Sequence, residues 1–267
     1  MSANGIGSEQ VQRFAEDGYL ILEELIDPDV VELALRIAKE DPSLAAEISD
    51  NKNYEGEGGM DTRLIYRAEL TDDVFGALAR SARIVEPLEQ LFDDAASHYY
   101  TLNMRKDPNT GGWQWHQDYG YHYQEFFYPD FISVMVALDP ANRDNGCLRV
   151  IRGSNRIGRL NHAKFGSQLQ ADPERVDIAL REMDEVHCEM PAGSVLYFHG
   201  NTLHASDPNL SSQGRWSMIY AYAGSSNPCV KPGVQEKLTR VEKLDDEGLR
   251  AAAQRHWEEA NEAGEEA

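Results

Sequence analysis

The chain has no long hydrophobic run and few cysteines. It contains no stretch of about 18 consecutive apolar residues, so we expect no membrane-spanning helix. The N-terminal segment has neither a basic start nor an apolar core, so we expect no secretion signal. The three cysteines, Cys147, Cys188 and Cys229, are far apart in the sequence. They are typical of free thiols in a reducing compartment, which favours a cytoplasmic protein without disulfides.

Positive charge is also scarce. The 267 residues include 25 Lys and Arg against 46 Asp and Glu, which gives a net charge of −21. Such a surface repels the phosphates of nucleic acids and the head groups of anionic lipids, so we expect neither as a partner. The acidic excess is explained most simply as a strongly solvated surface. The length is sufficient for one domain with a sizeable core.

The N-terminal third is predicted to be mainly helical. Ser8 is a capping residue, Gly18 a stop signal, and Pro28 a typical first residue of a helix. The predicted helices are Ser8–Asp17, Asp27–Glu40, and a pair within Thr71–Phe92 that is broken near Ala79–Ser81. Short strands are predicted at Tyr19–Leu25 and Thr62–Tyr66, and a loop at Ser43–Gly59.

After this third, short strands alternate with turns rich in Gly and Pro. The predicted strands are His98–Lys106, Phe131–Leu138, Cys147–Ile151, Val186–Met190, Ser194–Phe198, Leu203–Ser206 and Arg215–Ala223. A polar connection at 158–184 carries a predicted helix at Pro173–Met183, and a last helix at Asp245–Ala260 leads into a tail, Glu258–Ala267, that we expect to fray. This pattern indicates an antiparallel sandwich or barrel with the N-terminal helices packed outside. We predict a single domain, 1–267, divided into a helical part (1–97), a β core (98–228) and a C-terminal helix and tail (229–267).

The pattern His-x-Asp/Glu, which could supply two metal ligands, occurs three times. The pairs are His116 with Asp118, His187 with Glu189, and His256 with Glu258. With 8 histidines and 46 acidic residues, one or two such pairs arise by chance, so local structure must discriminate. The last pair lies in a predicted helix, where side chains two residues apart diverge by about 200°. The second lacks surrounding glycines and aromatics that would shape a pocket.

The first pair has the most suggestive surroundings. It follows a Gly-rich turn and lies in the aromatic run Trp113–Tyr123. On a β-strand, residues i and i+2 share a face, so His116 and Asp118 could hold one metal ion. A histidine from a neighbouring strand would complete a two-histidine, one-carboxylate triad, which leaves open positions on Fe(II). His204 is the best placed; His199 is a rival, and a hydrogen-bonded core histidine is the alternative for either.

Five motifs in order resemble one known family. They are W-H-Q-D at Trp115–Asp118, N-G-C-L-R-V-I-R-G-S at Asn145–Ser154, P-A-G-S-V-L-Y-F at Pro191–Phe198, G-N-T-L-H-A-S at Gly200–Ser206 and R-W-S at Arg215–Ser217. Together they resemble the phytanoyl-CoA dioxygenase family of Fe(II)/2-oxoglutarate oxygenases, which includes phytanoyl-CoA hydroxylase and ectoine hydroxylase. The resemblance covers about Tyr99–Pro228.

The resemblance implies a fold and a set of ligands. The fold is a double-stranded β-helix, a jelly roll related to the cupins. His116, Asp118 and His204 would bind Fe(II), with 2-oxoglutarate and O2 as cosubstrates. Arg215, eleven residues after the distal histidine, would hold the far carboxylate of 2-oxoglutarate. A guanidinium suits this role because it can donate two parallel hydrogen bonds to a carboxylate.

Other residues are matched less specifically. Ser206 and Asn103 correspond to positions that hydrogen-bond the cosubstrate in relatives. Tyr119 and His122 are predicted to contact substrate, because ectoine hydroxylase has a comparable histidine after its metal-binding motif. Tyr119, Tyr121 and Tyr123 would share one face of an extended segment, as a lid or as packed core. The usual P-G-S-H is replaced at 152–155, which affects a loop, and Asp118 argues against halogenation.

The expected activity is hydroxylation of an unactivated C–H bond of a small-molecule metabolite, with release of succinate and CO2. Ectoine is one candidate substrate, whereas a CoA thioester is disfavoured because cations are scattered. Two alternatives are a non-catalytic jelly-roll binding module and a metal-dependent hydrolase with the same three ligands. The sequence identifies neither the substrate nor the oligomeric state.

Overall fold

The computed structural model describes residues 4–52 and 61–265. The helices in these ranges are α1 Ser8–Asp17, α2 Pro28–Glu40, α3 Pro42–Glu47, α4 Val74–Arg80, α5 Ala82–Phe92, α6 Asp118–His122, α7 Pro173–Glu182 and α8 Asp246–Glu265. The strands are β1 Tyr19–Leu22, β2 Ser49–Lys52, β3 Asp61–Arg67, β4 Ala96–Lys106, β5 Trp113–His116, β6 Phe131–Ala137, β7 Leu148–Ile151, β8 His162–Phe165, β9 Gln168–Ala171, β10 Glu185–His187, β11 Val195–His199, β12 His204–Ser206, β13 Arg215–Gly224 and β14 Thr239–Arg240.

Two antiparallel sheets form the body of the molecule. The larger has the order β1-β11-β6-β13-β4-β3-β2, with β14 paired to β4, and the smaller has the order β10-β7-β12-β5. Met135 and Phe198 of the larger sheet pack with Leu148 and Val150 of the smaller in one apolar cluster. The two sheets therefore face each other, and the predicted jelly roll is confirmed.

The outer face of the larger sheet carries the helices, as predicted. Alternate residues of β11 and β13 point away from the smaller sheet and pack against α2, α4, α5 and α8. Three buried tyrosines of these strands also donate hydrogen bonds to helix carbonyls: Tyr197 to Ile84 at 3.0 Å, Tyr220 to Phe75 at 2.8 Å and Tyr222 to Ala79 at 2.7 Å. Each hydroxyl is thus satisfied where the ring is buried, which fixes the helices on the sheet.

The N-terminal part contains the predicted helices and strands together with two elements that were not predicted, α3 and β2. β1 pairs with β11, and β2 and β3 extend the larger sheet beyond β4. The predicted loop at 43–59 was wrong where it is described, because it contains most of α3 and β2. The Asp41 side chain accepts a hydrogen bond from the Ser43 amide at 2.8 Å and so caps α3. Residues 53–60 of that prediction lie outside the described ranges.

Two further segments differ from the sequence prediction. The polar connection 158–184 contains the hairpin β8–β9 before the predicted helix. The C-terminal helix runs to Glu265, so the expected fraying from Glu258 is wrong up to that residue, and 266–267 lie outside the described ranges. Among the described helices, none combines the length and apolar character needed to span a membrane.

Candidate metal centre

Three ligand-type side chains converge between the two sheets. Oδ1 of Asp118 lies 3.6 Å from Nε2 of His116 and 3.5 Å from Nε2 of His204. The two histidines are direct cross-strand neighbours on β5 and β12, and their ring centroids are 4.1 Å apart. Ligand atoms bound to one ion at about 2.0–2.2 Å are separated by similar distances, so this donor set fits a single metal ion. In the described part of the chain no other cluster of three such groups could hold a metal.

The backbone fixes the orientation of both imidazoles. His116 donates from Nδ1 to the carbonyl of Gln114 at 2.6 Å, and His204 donates from Nδ1 to the carbonyl of Thr202 at 3.0 Å. With the proton on Nδ1, each Nε2 presents its lone pair to the cluster, as metal coordination requires. Ser133 Oγ donates to Oδ2 of Asp118 at 2.5 Å, which leaves Oδ1 directed at the histidines.

The two residues of the His-x-Asp pair do not share a strand, contrary to prediction. β5 ends at His116, and Asp118 is the first residue of the short helix α6. Between them, the buried side chain of Gln117 donates to the carbonyls of Gly158 and Asn201 at 2.9 and 2.7 Å, and accepts from the Leu160 amide at 2.7 Å. Gln117 thus fixes the turn between β5 and α6, and this turn brings His116 and Asp118 together.

Burial and mutual charge set the protonation of the cluster. Burial alone would raise the pKa of Asp118, but the neighbouring His204 and His116 outweigh it and hold that pKa well below its usual range. Burial, together with His204, lowers the pKa of His116. A carboxylate beside a neutral imidazole is the state in which both groups can coordinate a metal.

The rival histidines have other partners. His199 Nδ1 accepts a hydrogen bond from the Asn201 amide at 3.0 Å. His187 lies 3.9 Å from Glu185 on β10, and His256 of α8 lies 3.2 Å from Asp41. All three lie outside the cluster, so of the two proposed third ligands it is His204 that joins His116 and Asp118.

The cluster lines a cavity of about 370 Å³ that has a cationic end. Arg215 starts β13, is only 4% exposed, and its Nε and Nη1 have no hydrogen-bond partner among the described residues. Burial lowers the pKa of Arg215 to about 10, which still leaves it charged at neutral pH. A buried guanidinium without a partner is costly, so this end of the cavity suits a bound anion.

Further hydrogen-bond donors surround Arg215. Lys106, also buried, donates from Nζ to Ser206 Oγ at 2.9 Å and to the carbonyls of Gly146 and Asp207 at 3.0 and 2.6 Å. Because Ser206 accepts that bond, its own hydroxyl proton is free for another acceptor. Trp113 Nε1 and Ser217 Oγ are buried there without a partner in the described ranges. Ser206 therefore lines the cavity, and its contact with the cosubstrate stays a prediction.

Two predicted site residues lie outside the cavity. Asn103 is paired in register with Met218 and Ile65, which both belong to the core beneath the helices. Its neighbours Leu102 and Met104 line the cavity instead, because successive residues of a strand point to opposite faces. Tyr119 is buried on the far side of α6, where its hydroxyl donates to the carbonyls of Phe126 and Phe127, each at 3.0 Å. The expected extended arrangement of the tyrosines is wrong, because this segment is helical.

The end of the cavity away from Arg215 is aromatic. His122 lines the cavity together with Tyr66, Tyr100 and Tyr121, and its predicted contact with substrate stays a prediction. Sequence reasoning missed Tyr66 and Tyr100, as well as Lys106, Trp113 and Ser217, whereas Tyr121 was named as part of a lid or of the core. The period-two pattern of β4 could have indicated Tyr100 and Lys106, since both share a face with Leu102 and Met104.

Comparison with known proteins bears on this site. The family described as phytanoyl-CoA dioxygenase (PhyH) matches residues 14–217. The chain is 28% identical over 243 residues to L-proline trans-4-hydroxylase from Streptomyces griseoviridis, covering 82% of this chain and 87% of that protein. It is 25% identical over 244 residues to ectoine dioxygenase from Streptomyces anulatus, covering 85% and 81%.

A solved structure shares the fold. EctD from S. alaskensis with bound Fe superposes with a TM-score of 0.75 at 20% identity, over 92% of this chain and 89% of that one. The family match spans most of the chain and includes His116, Asp118, His204 and Arg215. The chain therefore belongs to the phytanoyl-CoA dioxygenase family.

Proposed function

We propose that the chain is a 2-oxoglutarate-dependent non-haem iron hydroxylase acting on a small molecule, with His116, Asp118 and His204 as its Fe(II) ligands. Arg215 carries the proposal. Its buried, unpartnered guanidinium lies in the same cavity as the three ligands, so a dicarboxylate can reach both the metal and the cationic end. L-proline trans-4-hydroxylase and ectoine dioxygenase among the relatives support the same reaction class. The three free thiols fit a reducing, cytoplasmic compartment.

The residues at the cationic end of the cavity bind the cosubstrate. Arg215 binds the far carboxylate of 2-oxoglutarate, with Ser206, Ser217 and Trp113 as additional donors. Lys106 fixes Ser206 by donating a hydrogen bond to its Oγ. This orients the keto acid toward the open positions that a two-histidine, one-carboxylate site leaves on iron.

Fe(II) held by His116, Asp118 and His204 would supply the redox chemistry by which O2 and 2-oxoglutarate are converted into succinate and CO2 while a C–H bond becomes C–OH. The protein contributes a dry, preorganised cavity. Phe198 and Leu148 exclude water around the ligands, and Ser133 keeps Asp118 Oδ1 directed at the metal.

Metal exchange tests the proposal against the two alternatives. The protein is loaded anaerobically with Fe(II) or Zn(II) and given 2-oxoglutarate, O2 and a metabolite pool, and succinate and products one oxygen atom heavier are measured by mass spectrometry. We expect succinate in the Fe(II)-loaded sample and none in the Zn(II)-loaded sample. Hydrolytic turnover with Zn(II) would identify a hydrolase, and absence of succinate in every mixture would favour a non-catalytic module.

A further inference from the structure

The aromatic end of the cavity has the imidazole of His122 in its wall, beside three tyrosines. Tyr66 lies at the mouth, its ring centroid 5.5 Å from that of Tyr100, which is in turn 5.5 Å from that of His122. Tyr121 lies next to both His122 and His116, at 6.4 and 5.6 Å. His122 is thus the imidazole that a substrate beside the metal would meet.

The His122 ring is fixed on three sides. Nδ1 lies 2.7 Å from Oε2 of Glu125, one face packs on Phe131 with centroids 5.0 Å apart, and Tyr99 packs edge-on at 5.3 Å. Its side chain is only 15% exposed. The ring therefore has one orientation, with the Nε2 edge left to the cavity.

Glu125 is itself firmly held. Its Oε2 accepts a hydrogen bond from the Tyr99 hydroxyl at 3.0 Å, and Lys231 lies 3.6 Å from Oε1. The hydrogen bond from His122 is the main cause that lowers the pKa of Glu125 to about 2. A carboxylate is an acceptor only, so His122 Nδ1 carries the proton and a neutral ring has its lone pair on Nε2.

In the neutral ring this Nε2 lone pair is nearly unused. Its one protein neighbour in the described ranges is the Tyr100 hydroxyl, at 3.4 Å. This is long for a hydrogen bond, for which about 2.7–3.0 Å is typical. A buried acceptor in this state favours a ligand that donates a hydrogen bond to it.

We propose that Glu125 is a positioning residue that holds His122 as an Nε2 acceptor, and that the substrate has a compact apolar body and an O–H or N–H group that donates to it. This rests on the proposed function. The tyrosine rings pack the apolar body. The Lys and Arg side chains that line the cavity in the described ranges, Lys106 and Arg215, both lie at the cosubstrate end, so a substrate carboxylate has neither as a partner at the His122 end.

Nitrogen NMR tests the tautomer without turnover. Full-length protein labelled with ¹⁵N on histidine is examined with and without Zn(II), and His122→Asn identifies the signals. We expect the Nδ1–H form of His122 in more than about tenfold excess, because the acceptor is charged. Glu125→Gln should bring the two tautomers close to equal, since an amide can donate or accept. A dominant Nε2–H form in wild type, or an unchanged ratio in Glu125→Gln, would overturn the assignment.

Matched small probes test the substrate class. Cyclohexanol, methoxycyclohexane and cyclohexanecarboxylate are titrated into the Zn(II)- and 2-oxoglutarate-loaded protein. We expect cyclohexanol to shift the His122 Nε2 signal at the lowest concentration; equal or stronger effects of the other two, or no shift with any, would overturn the donor requirement.

Turnover separates this inference from the proposed function. In the metabolite assay, Glu125→Gln should lower the amount of hydroxylated product per succinate formed, while succinate formation continues. The control is Glu185→Gln on β10, which lies beside His187 and outside the cavity and should leave that ratio unchanged. Unchanged coupling in Glu125→Gln would refute the positioning role. If wild type forms no succinate at all, the proposed function fails and the NMR results still decide the tautomer.

Discussion

At the scale of single residues, Asp118 has the least replaceable position, because its two oxygens serve different partners. Oδ1 faces both histidines and Oδ2 accepts from Ser133. Losing an outer hydrogen bond of this kind costs metal affinity about 10–100-fold. We therefore expect Ser133→Ala to weaken Fe(II) binding by that amount and Asp118→Ala to weaken it further and abolish turnover. Anaerobic calorimetry measures the Fe(II) affinity of both variants, and succinate release measures the turnover of Asp118→Ala. The surface variant Asp144→Ala is the control, and full activity of Asp118→Ala would refute the ligand assignment.

Arg215 allows a second prediction at this scale. Lysine keeps the charge but loses the two-pronged donor geometry of a guanidinium. Since a hydrogen bond to a charged group contributes about 1.5–3 kcal/mol, Arg215→Lys should raise the KM for 2-oxoglutarate about 10–100-fold. Arg143→Lys, at an exposed pair with Glu189, should leave it unchanged. An unaltered KM in Arg215→Lys would mean that another residue holds the acid.

At the scale of elements, the hairpin β8–β9 supports the strand-to-helix turn that positions Asp118. His162 Nε2 of β8 accepts the backbone amide of Gln117 at 3.0 Å, and Tyr121 of α6 accepts the Leu169 amide at 2.7 Å. A side chain added at Gly120 would overlap the His162 ring. Glycine is thus required here by close approach of the hairpin to α6, not by backbone conformation.

The Gly120 contact gives an element-scale prediction. Gly120→Ala should push the hairpin away, with a loss of about 1–3 kcal/mol in the free energy of unfolding and reduced Fe(II) affinity. His162→Ala should also destabilise, because it leaves the Gln117 amide unpaired. The double variant should lose less than the sum, since the overlap is gone. Urea unfolding measures all three, and additive losses would argue against the contact.

The same elements show how far sequence could predict this molecule. Short strands separated by Gly- and Pro-rich turns predicted an antiparallel sandwich or barrel. The family motifs narrowed this to the jelly roll and pointed to His116, Asp118, His204 and Arg215, because these signals are local. The hairpin β8–β9 and the strand β2 were not predicted, since short polar strands are stabilised mainly by their partners. Asn103 and Tyr119 were misplaced for a related reason, because which face of an element meets the cavity depends on tertiary packing.

At the scale of the whole molecule, stability depends on histidines that folding keeps neutral. His98 is fully buried in β4, with Nε2 2.8 Å from the Thr101 hydroxyl. Burial lowers its pKa to about 4, and burial likewise lowers the pKa of His162 and of His199 to about 4. In the unfolded chain these rings titrate near about 6.5. Between these values the unfolded state binds protons that the native state does not.

These pKa values determine how the free energy of unfolding changes with pH. The stability from these histidines is complete above about pH 6.5 and is lost as the pH falls toward about 4, with each ring adding up to about 1.4 kcal/mol per pH unit to the slope. His98→Gln removes one such ring, so its free energy of unfolding should fall less steeply with acidification than that of wild type. Thr101→Val, which keeps the ring and loses its hydroxyl partner, should be less stable at every pH with the slope retained. Urea unfolding at a series of pH values between 7 and 4.5 measures both, and equal slopes in wild type and His98→Gln would show that His98 is not held neutral by the fold.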